Sequence, residues 1–217
     1  MPRFHRIPLV AVLALAALPA AADPCQEEIQ ALYDGGPMDY YTWGPYKTAT
    51  AYFAQDGSLK MVLDIIAETP THMISTTRDS GQWYLVEGLE TWTAPAAEGP
   101  WTYAGKMQHA DADGFNRQML ADQRKNVTEA ECLGVVELAG RPAQSYRFIT
   151  KTDPHEEWGS GWFGGRYAIW VDQETRRIAR METHEFAAHY APTPSTDIIV
   201  NEYTYDPTIA MPPTPPK

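Results

Sequence analysis

The chain has 217 residues with 28 acidic and 17 basic side chains, which gives it a formal net charge of −11. Such an acidic surface argues against nucleic acids and anionic lipid headgroups as partners, and the length suits one domain with a sizeable core. Beyond the N-terminal segment, no apolar run approaches the ~20 residues that a membrane-spanning helix needs, so we expect peripheral or no membrane association.

Residues 1–22 have the pattern of a secretory signal peptide. Arg3 and Arg6 precede the apolar stretch 8–18, and Ala20 and Ala22 supply the small residues of a cleavage site. A short buried helix is the alternative. We expect cleavage before Asp23 and export to the periplasm as a soluble protein. Cleavage would remove two arginines and no acid, which changes the formal charge from −11 to −13.

A short helix should open the mature chain, because Pro24 suits a first helical turn and Gly35-Gly36 suits a helix end. Cys25, within this predicted helix, and Cys132 are the two cysteines of the chain. In an oxidising compartment they are expected to form a disulfide, which would stabilise the fold by ~4–5 kcal/mol in the chain-entropy model. Two free thiols are the alternative.

From Tyr40 the apolar residues alternate with a period of two, which predicts strands separated by turns at 56–57, 79–81 and 98–100. A second helix is expected near 111–126, capped by Asp111 or Asp113. A second strand series follows at 132–150, 166–186 and 198–206. Both strand faces carry apolar residues, which predicts a sheet that is covered on one side and encloses something on the other.

The segment 152–166 is rich in glycine and tryptophan, and we interpret it as a mobile loop that gates a cavity. The proline-rich residues 211–217 are expected to be disordered. The domain organisation predicted from the sequence is therefore a signal peptide at 1–22, a single domain at 23–210 and this disordered tail.

The stretch 183–190, THEFAAHY, is close to the H-E-x-x-H of zinc proteases. His184 and His189 are five positions apart, however, which separates them by about 140° on a helix and places them on opposite faces of a strand. His155, Glu156 and Glu157 form another acidic and histidine group, for which solvated loop charges are the favoured interpretation. The sequence therefore predicts no metal and no cofactor.

Aromatic residues dominate the composition, with seven tryptophans and twelve tyrosines. They fit either ordinary core packing or the walls of a cavity for an apolar ligand. The candidate ligand-binding residues are Trp83, Trp92, Trp101, Trp162, Phe163 and Trp170.

Three stretches carry a family resemblance: LGVVELAGRPAQSYRF (133–148), YAIWVDQETRRIARMETHE (167–185) and NEYTYDPTIAMPPTP (201–215). They resemble the periplasmic lipoprotein-carrier superfamily, which is LolA-like with LppX-like and RseB-like relatives, and Trp101 stands in the place of a recurrent tryptophan. The resemblance implies an α+β fold with a strongly curved antiparallel sheet, an unclosed half-barrel whose concave face is covered by helices. In the carriers, a cavity there receives acyl chains. The basic residues that hold the lid of those carriers have no counterpart in this chain.

The leading hypothesis is a non-enzymatic exported protein that binds a hydrophobic small molecule, lipid or acyl chain, as a lipid or lipoprotein carrier would. The alternative is an interaction or sensor module for an envelope protein, since RseB-like relatives bind partner proteins. A metal-dependent hydrolase built on His155, Glu156, His184 and Glu185 is a third hypothesis.

Overall fold

The computed structural model describes residues 23–107, 111–156 and 161–217. The predicted signal peptide lies outside the described residues, as do Glu157 and Trp158. Within the described ranges, no helix is long and apolar enough to cross a membrane.

In the described residues, eleven antiparallel strands form a single sheet that does not close, which confirms the predicted α+β half-barrel. The first six strands form one meander and the last five form another. Strands β1 and β11 pair and join the two meanders, which leaves β6 and β7 as the edges. The strands are β1 Tyr46–Phe53, β2 Leu59–Thr69, β3 His72–Thr77, β4 Trp83–Glu87, β5 Glu90–Ala94, β6 Thr102–Lys106, β7 Thr128–Leu138, β8 Arg141–Lys151, β9 Phe163–Asp172, β10 Ile178–Ala188 and β11 Ile198–Tyr205.

Two helices lie on one face of this sheet, where the sequence predicts them. Helix α1 (Pro24–Ala31) begins after Asp23, whose carboxylate accepts a hydrogen bond from the backbone N–H of Cys25. Helix α2 (Ala112–Lys125) is capped in the same way by Asp111 and carries basic residues in its last turn, where they complement the helix dipole. A 3-10 helix spans Tyr40–Thr42.

Alternation along the strands gives the sheet two apolar faces. The inner face, which faces the helices, carries aromatic residues such as Phe148 and Tyr167, and these pack against Ile29 of α1 and Leu120 of α2. The outer face carries a separate cluster on β2 to β5. Its members lie opposite each other across the strands: Ile66, Ile74, Leu85 and Trp92.

The glycine-rich segment differs from the prediction, because β9 begins at Phe163 and residues 163–166 are strand rather than loop. Gly164 and Gly165 are required by close strand packing. A Cβ on Gly164 would collide with Thr150 and Lys151 of β8, and one on Gly165 would come within 2.8 Å of the His184 carbonyl on β10. The glycines here therefore indicate close backbone approach.

Residues 211–217 have no regular secondary structure. The side chains of Met211, Thr214 and Lys217 nevertheless contact the outer face of the sheet.

Cys25 and Cys132 form the predicted disulfide, which links α1 to β7 across 107 positions of sequence. Because α1 supplies Ile29 to the core, the bridge fixes one wall of the inner side.

Removing this bridge should lower the free energy of unfolding by roughly 4–5 kcal/mol, because the unfolded chain regains the entropy of a long loop. We expect reduced protein and the Cys25→Ser/Cys132→Ser variant to unfold at the same urea concentration, well below oxidised protein. Identical midpoints with and without reductant would contradict this expectation.

Candidate functional site

A cavity of about 390 Å³, which we call the main cavity, lies between the inner face of the sheet and α2. Its walls come from distant parts of the chain, since the two meanders and α2 each contribute side chains. The lining is mainly apolar or aromatic: Met38, Tyr40, Trp43, Tyr46, Pro70, Met73, Met119, Leu120, Phe163, Tyr167, Ile178, Met181, Phe186, Ile199 and Tyr203.

The aromatic wall of this main cavity is built around Trp43. Its ring meets Tyr46 of β1 at a centroid distance of 5.2 Å and Tyr203 of β11 at 5.1 Å, both edge to face. The indole N–H donates to the Pro37 carbonyl at 2.7 Å, so the buried ring has a polar partner. The Tyr40 hydroxyl donates to the Asn116 carbonyl at 2.8 Å and ties this wall to α2.

Two smaller cavities adjoin the main one beneath α2. One, which we call the second cavity, measures about 230 Å³, shares Met119, Phe163 and Phe186 with the main cavity and extends to Trp162 and His189. The other, of about 220 Å³, shares Pro70, Met73 and Asn116 and extends to Val86, Leu89 and Met107. Helix α2 therefore lies over a row of adjacent, predominantly apolar spaces.

The main cavity has no charged wall. Among its described lining residues there is no Asp, Glu, Lys, Arg or His, and the polar side chains besides the tyrosines are Asn116, Gln123 and Thr183. Burial raises the pKa of Tyr46 and of Tyr167 to about 12, and it raises the pKa of Tyr203 well above the ordinary value. These phenols are therefore neutral near physiological pH.

A buried carboxylate holds α2 in place over the cavities. Asp122 is 3% exposed and accepts hydrogen bonds from the Asp153 backbone N–H at 3.1 Å and from the Gln118 side chain at 2.9 Å. The carboxylate oxygen that accepts from Asp153 also lies 2.7 Å from Nε2 of His155. The segment that follows β8 is thus attached to the helix, and this fixes the floor of the second cavity.

The residues of the hydrolase hypothesis are not brought together. His155 lies with Asp122 on the helix side, whereas His184 lies on the outer face, 3.1 Å from Glu182. His189 lines the second cavity, so the two histidines of THEFAAHY lie on different sides of the sheet. Simple alternation is not the reason, because a bulge interrupts β10 between His184 and Ala187 and His189 follows the end of the strand. The part of the chain that the structure describes contains no group of three or more side chains arranged to bind a metal.

The six candidate ligand-binding residues are divided between the faces. Trp162 and Phe163 line the inner cavities. Trp83, Trp92 and Trp101 belong to the outer cluster, and Trp170 lies on the outer face opposite Arg180. Sequence reasoning missed the tyrosines and methionines of the main cavity. The tyrosines could have been found from the period-two pattern of Tyr46, Thr48 and Thr50 on β1 and of Tyr203 and Tyr205 on β11.

The amino-acid sequence matches no protein-family model and no curated protein. By structure, the chain is similar to the lipoprotein LppX of Mycobacterium tuberculosis, with a TM-score of 0.53 and 12% identity over 88% of this chain and 100% of that chain. The likeness to LppX shows the fold. It confirms the expected LolA/LppX/RseB-like architecture, and at this identity it shows no more than that.

Two further structures are less similar. LprF from Mycobacterium bovis has a TM-score of 0.47 and 11% identity over 87% of this chain and 97% of its own. A LolA superfamily protein from Nitrosomonas europaea has a TM-score of 0.32 and 9% identity over 81% and 90%.

Ionisation of the inner-face tyrosines should destabilise the protein at alkaline pH. An unfolded tyrosine titrates near pH ~10, whereas burial raises the pKa of Tyr46 and Tyr167 to about 12. Their contribution to stability is therefore complete below pH ~10 and is lost as pH rises through the folded pKa. Urea unfolding followed across this range should show the loss.

The double variant Tyr46→Phe/Tyr167→Phe should show a shallower dependence of stability on alkaline pH. Tyr190→Phe is the control, because that side chain is 75% exposed. The expectation fails if all tyrosines titrate together near pH ~10 while the protein stays folded.

Proposed function

We propose that this chain is an exported, non-enzymatic protein that binds a hydrophobic ligand, such as a lipid or acyl chain, in the main cavity. The observation that supports this most directly is the uncharged, aromatic and methionine-rich wall around about 390 Å³ of space. Cavities that hold small molecules typically measure ~300–1,000 Å³ and are lined in this way.

The character of the wall favours a flexible apolar ligand. Met38, Met73, Met119 and Met181 line the main cavity, and methionine adapts its unbranched side chain to irregular ligand shapes. Each methylene group moved from water into such a space contributes about 0.8 kcal/mol. A chain of several methylenes thus gains affinity without any charged contact.

A few polar groups can orient such a ligand. Asn116, Gln123 and Thr183 face the main cavity, and an amide or hydroxyl can pair with the ester or carboxyl oxygen of an acyl compound. Asn116 and Gln123 belong to α2 and only Thr183 belongs to the sheet, so we expect the polar end of the ligand to lie near α2.

The cellular setting is part of the same proposal. The pattern of residues 1–22, the single domain at 23–210 and the disulfide all suit a protein exported to the periplasm. The sequence resemblance to carriers of acylated proteins supports lipid as the ligand class, and the fold likeness to LppX supports the half-barrel that encloses the cavity.

A charge placed in the cavity should abolish binding. Met119 lines both the main and the second cavity, so Met119→Glu would put a carboxylate against the ligand, where its desolvation is costly. We expect the affinity for a fluorescent fatty acid such as cis-parinaric acid to fall by about tenfold or more, which corresponds to ~1.4 kcal/mol.

Ala121→Glu is the matched control, because it adds the same charge to an exposed position of the same helix. It should bind the fatty acid as the unaltered protein does. Native mass spectrometry of protein purified from its own compartment should show a bound apolar species. The proposal would be overturned if the purified protein held no apolar species and did not bind the fatty acid. It would also be overturned if the unaltered protein and both variants bound the fatty acid equally well.

A further inference from the structure

The outer face of the first meander carries an apolar patch that the proposed cavity does not use. Leu85, Ile74 and Trp92 are 0%, 4% and 1% exposed although neither of the two described α-helices packs on this side. Trp83 and Trp101 are partly buried against them. We refer to these five residues as the outer tryptophan groove.

Part of the cover of this groove is the proline-rich segment, residues 211–217. Met211 packs against the groove residues. The Thr214 hydroxyl donates to Glu87 Oε2 at 3.2 Å, and Lys217 Nζ lies 2.7 Å from Glu90 Oε1. The segment is therefore attached at its two ends, by an apolar anchor and by an ion pair.

The path of the segment follows from the strand order. It leaves β11 at Tyr205 and reaches the hairpin between β4 and β5, so β1, β2 and β3 lie between its two ends in the order of the sheet. Residues 206–209 form a turn, in which the Ile209 N–H donates to the Asp206 carbonyl at 3.2 Å. The extended part of the segment therefore begins after Ile209.

Two prolines of the segment have the spacing of a polyproline II helix. Pro212 and Pro215, three positions apart, are half-buried, as are Ile209 and Met211, whereas Pro213 and Pro216 are exposed. A polyproline II helix has three residues per turn, so one residue in three faces the surface on which it lies. Within the described chain, residues 210–217 make no backbone–backbone hydrogen bond, which also fits this conformation.

Two donors in the groove have no acceptor. The indole Nε1 atoms of Trp92 and Trp101 are buried and have no hydrogen-bond partner among the described residues. A buried donor without an acceptor is costly, and the carbonyl groups of a polyproline II peptide are free to accept. Met211 of the segment packs against the groove, but among the described residues these two indoles have no acceptor.

We propose that the outer tryptophan groove is a binding site for an extended, proline-rich peptide with a basic residue, and that residues 211–217 occupy it until a partner's segment displaces them. Aromatic grooves recognise polyproline II peptides because such peptides lose little conformational entropy on binding. Glu90 at the end of the groove complements a cation on the peptide, as it does Lys217 in this chain, and Glu87 accepts a hydrogen bond from a hydroxyl, as it does from Thr214.

The test is binding of a labelled peptide of sequence PTIAMPPTPPK, residues 207–217, to protein with and without residues 211–217. The shortened protein should bind the peptide, with a blue-shifted or quenched tryptophan emission. The full chain should bind it roughly tenfold or more weakly, because its own segment competes at an effective concentration in the millimolar range.

Substitutions in the peptide distinguish specific recognition by the groove from nonspecific apolar binding. Replacing Pro212 and Pro215 by alanine in the peptide, or Lys217 by glutamate, should each weaken binding by about tenfold, a difference of ~1.4 kcal/mol. Replacing the exposed Pro213 by alanine should have little effect. Folded, shortened protein that does not bind the peptide, or that binds all four peptides equally, would overturn the proposal.

A full-length variant guards against a shortened chain that does not fold. Met211→Asp/Lys217→Glu keeps the whole sequence but removes both anchors, and Glu90→Gln in the same background removes the acidic partner on the sheet. The first variant should bind the unaltered peptide and the second should bind it more weakly. If neither binds while circular dichroism shows a native sheet, residues 211–217 are only a cover for the core.

Discussion

The pairing of β1 with β11 is the interaction on which the rest of the structure depends. It joins two meanders that would otherwise be separate sheets, and its partners are remote in sequence, as Tyr46 with Tyr205 shows. In the seam the Thr50 hydroxyl donates to the Asn201 amide oxygen at 2.7 Å, a buried contact across 151 positions. This pairing places the aromatic residues of both halves on one wall of the main cavity. It also directs the chain after Tyr205 onto the outer face of the first meander.

Features set by local chemistry were predictable from the sequence. Asp111 caps α2 because its side chain can accept from a free backbone N–H, and two cysteines in one chain leave a single intramolecular pairing. The period of two identified strands in both halves. The faces of those strands were not predictable, since Met73 and Ile74 are both apolar and lie on opposite sides of β3. Only the position of α2, a long-range feature, decides which of them faces the cavity.

The same ambiguity explains why the tryptophans were assigned to the cavity. Trp83 and Trp92 have the size and shape of cavity walls, but their register with Leu85 and Ile74 puts them on the outer face. Besides Trp43 and two phenylalanines, the main cavity is lined largely by tyrosines and methionines, whose composition gives a weaker signal. Gly164 is a related case, because composition alone does not distinguish a flexible glycine from one that permits β9 to pack closely on β8.

The two faces differ in what they can recognise. The inner side is uncharged and rich in flexible methionine, which suits ligands of variable shape, whereas the outer groove has rigid indoles and acidic residues at one end, which suit a defined peptide. Strands β3 and β4 carry residues of both, since Met73 and Val86 line inner cavities while Ile74 and Leu85 belong to the outer cluster. Because packed interiors transmit small displacements, these two strands provide a direct connection between the two faces. Coupling between two sites is reciprocal. If ligand binding in the main cavity changes the affinity of the outer tryptophan groove for residues 211–217, then displacement of these residues changes the affinity for the ligand by the same factor.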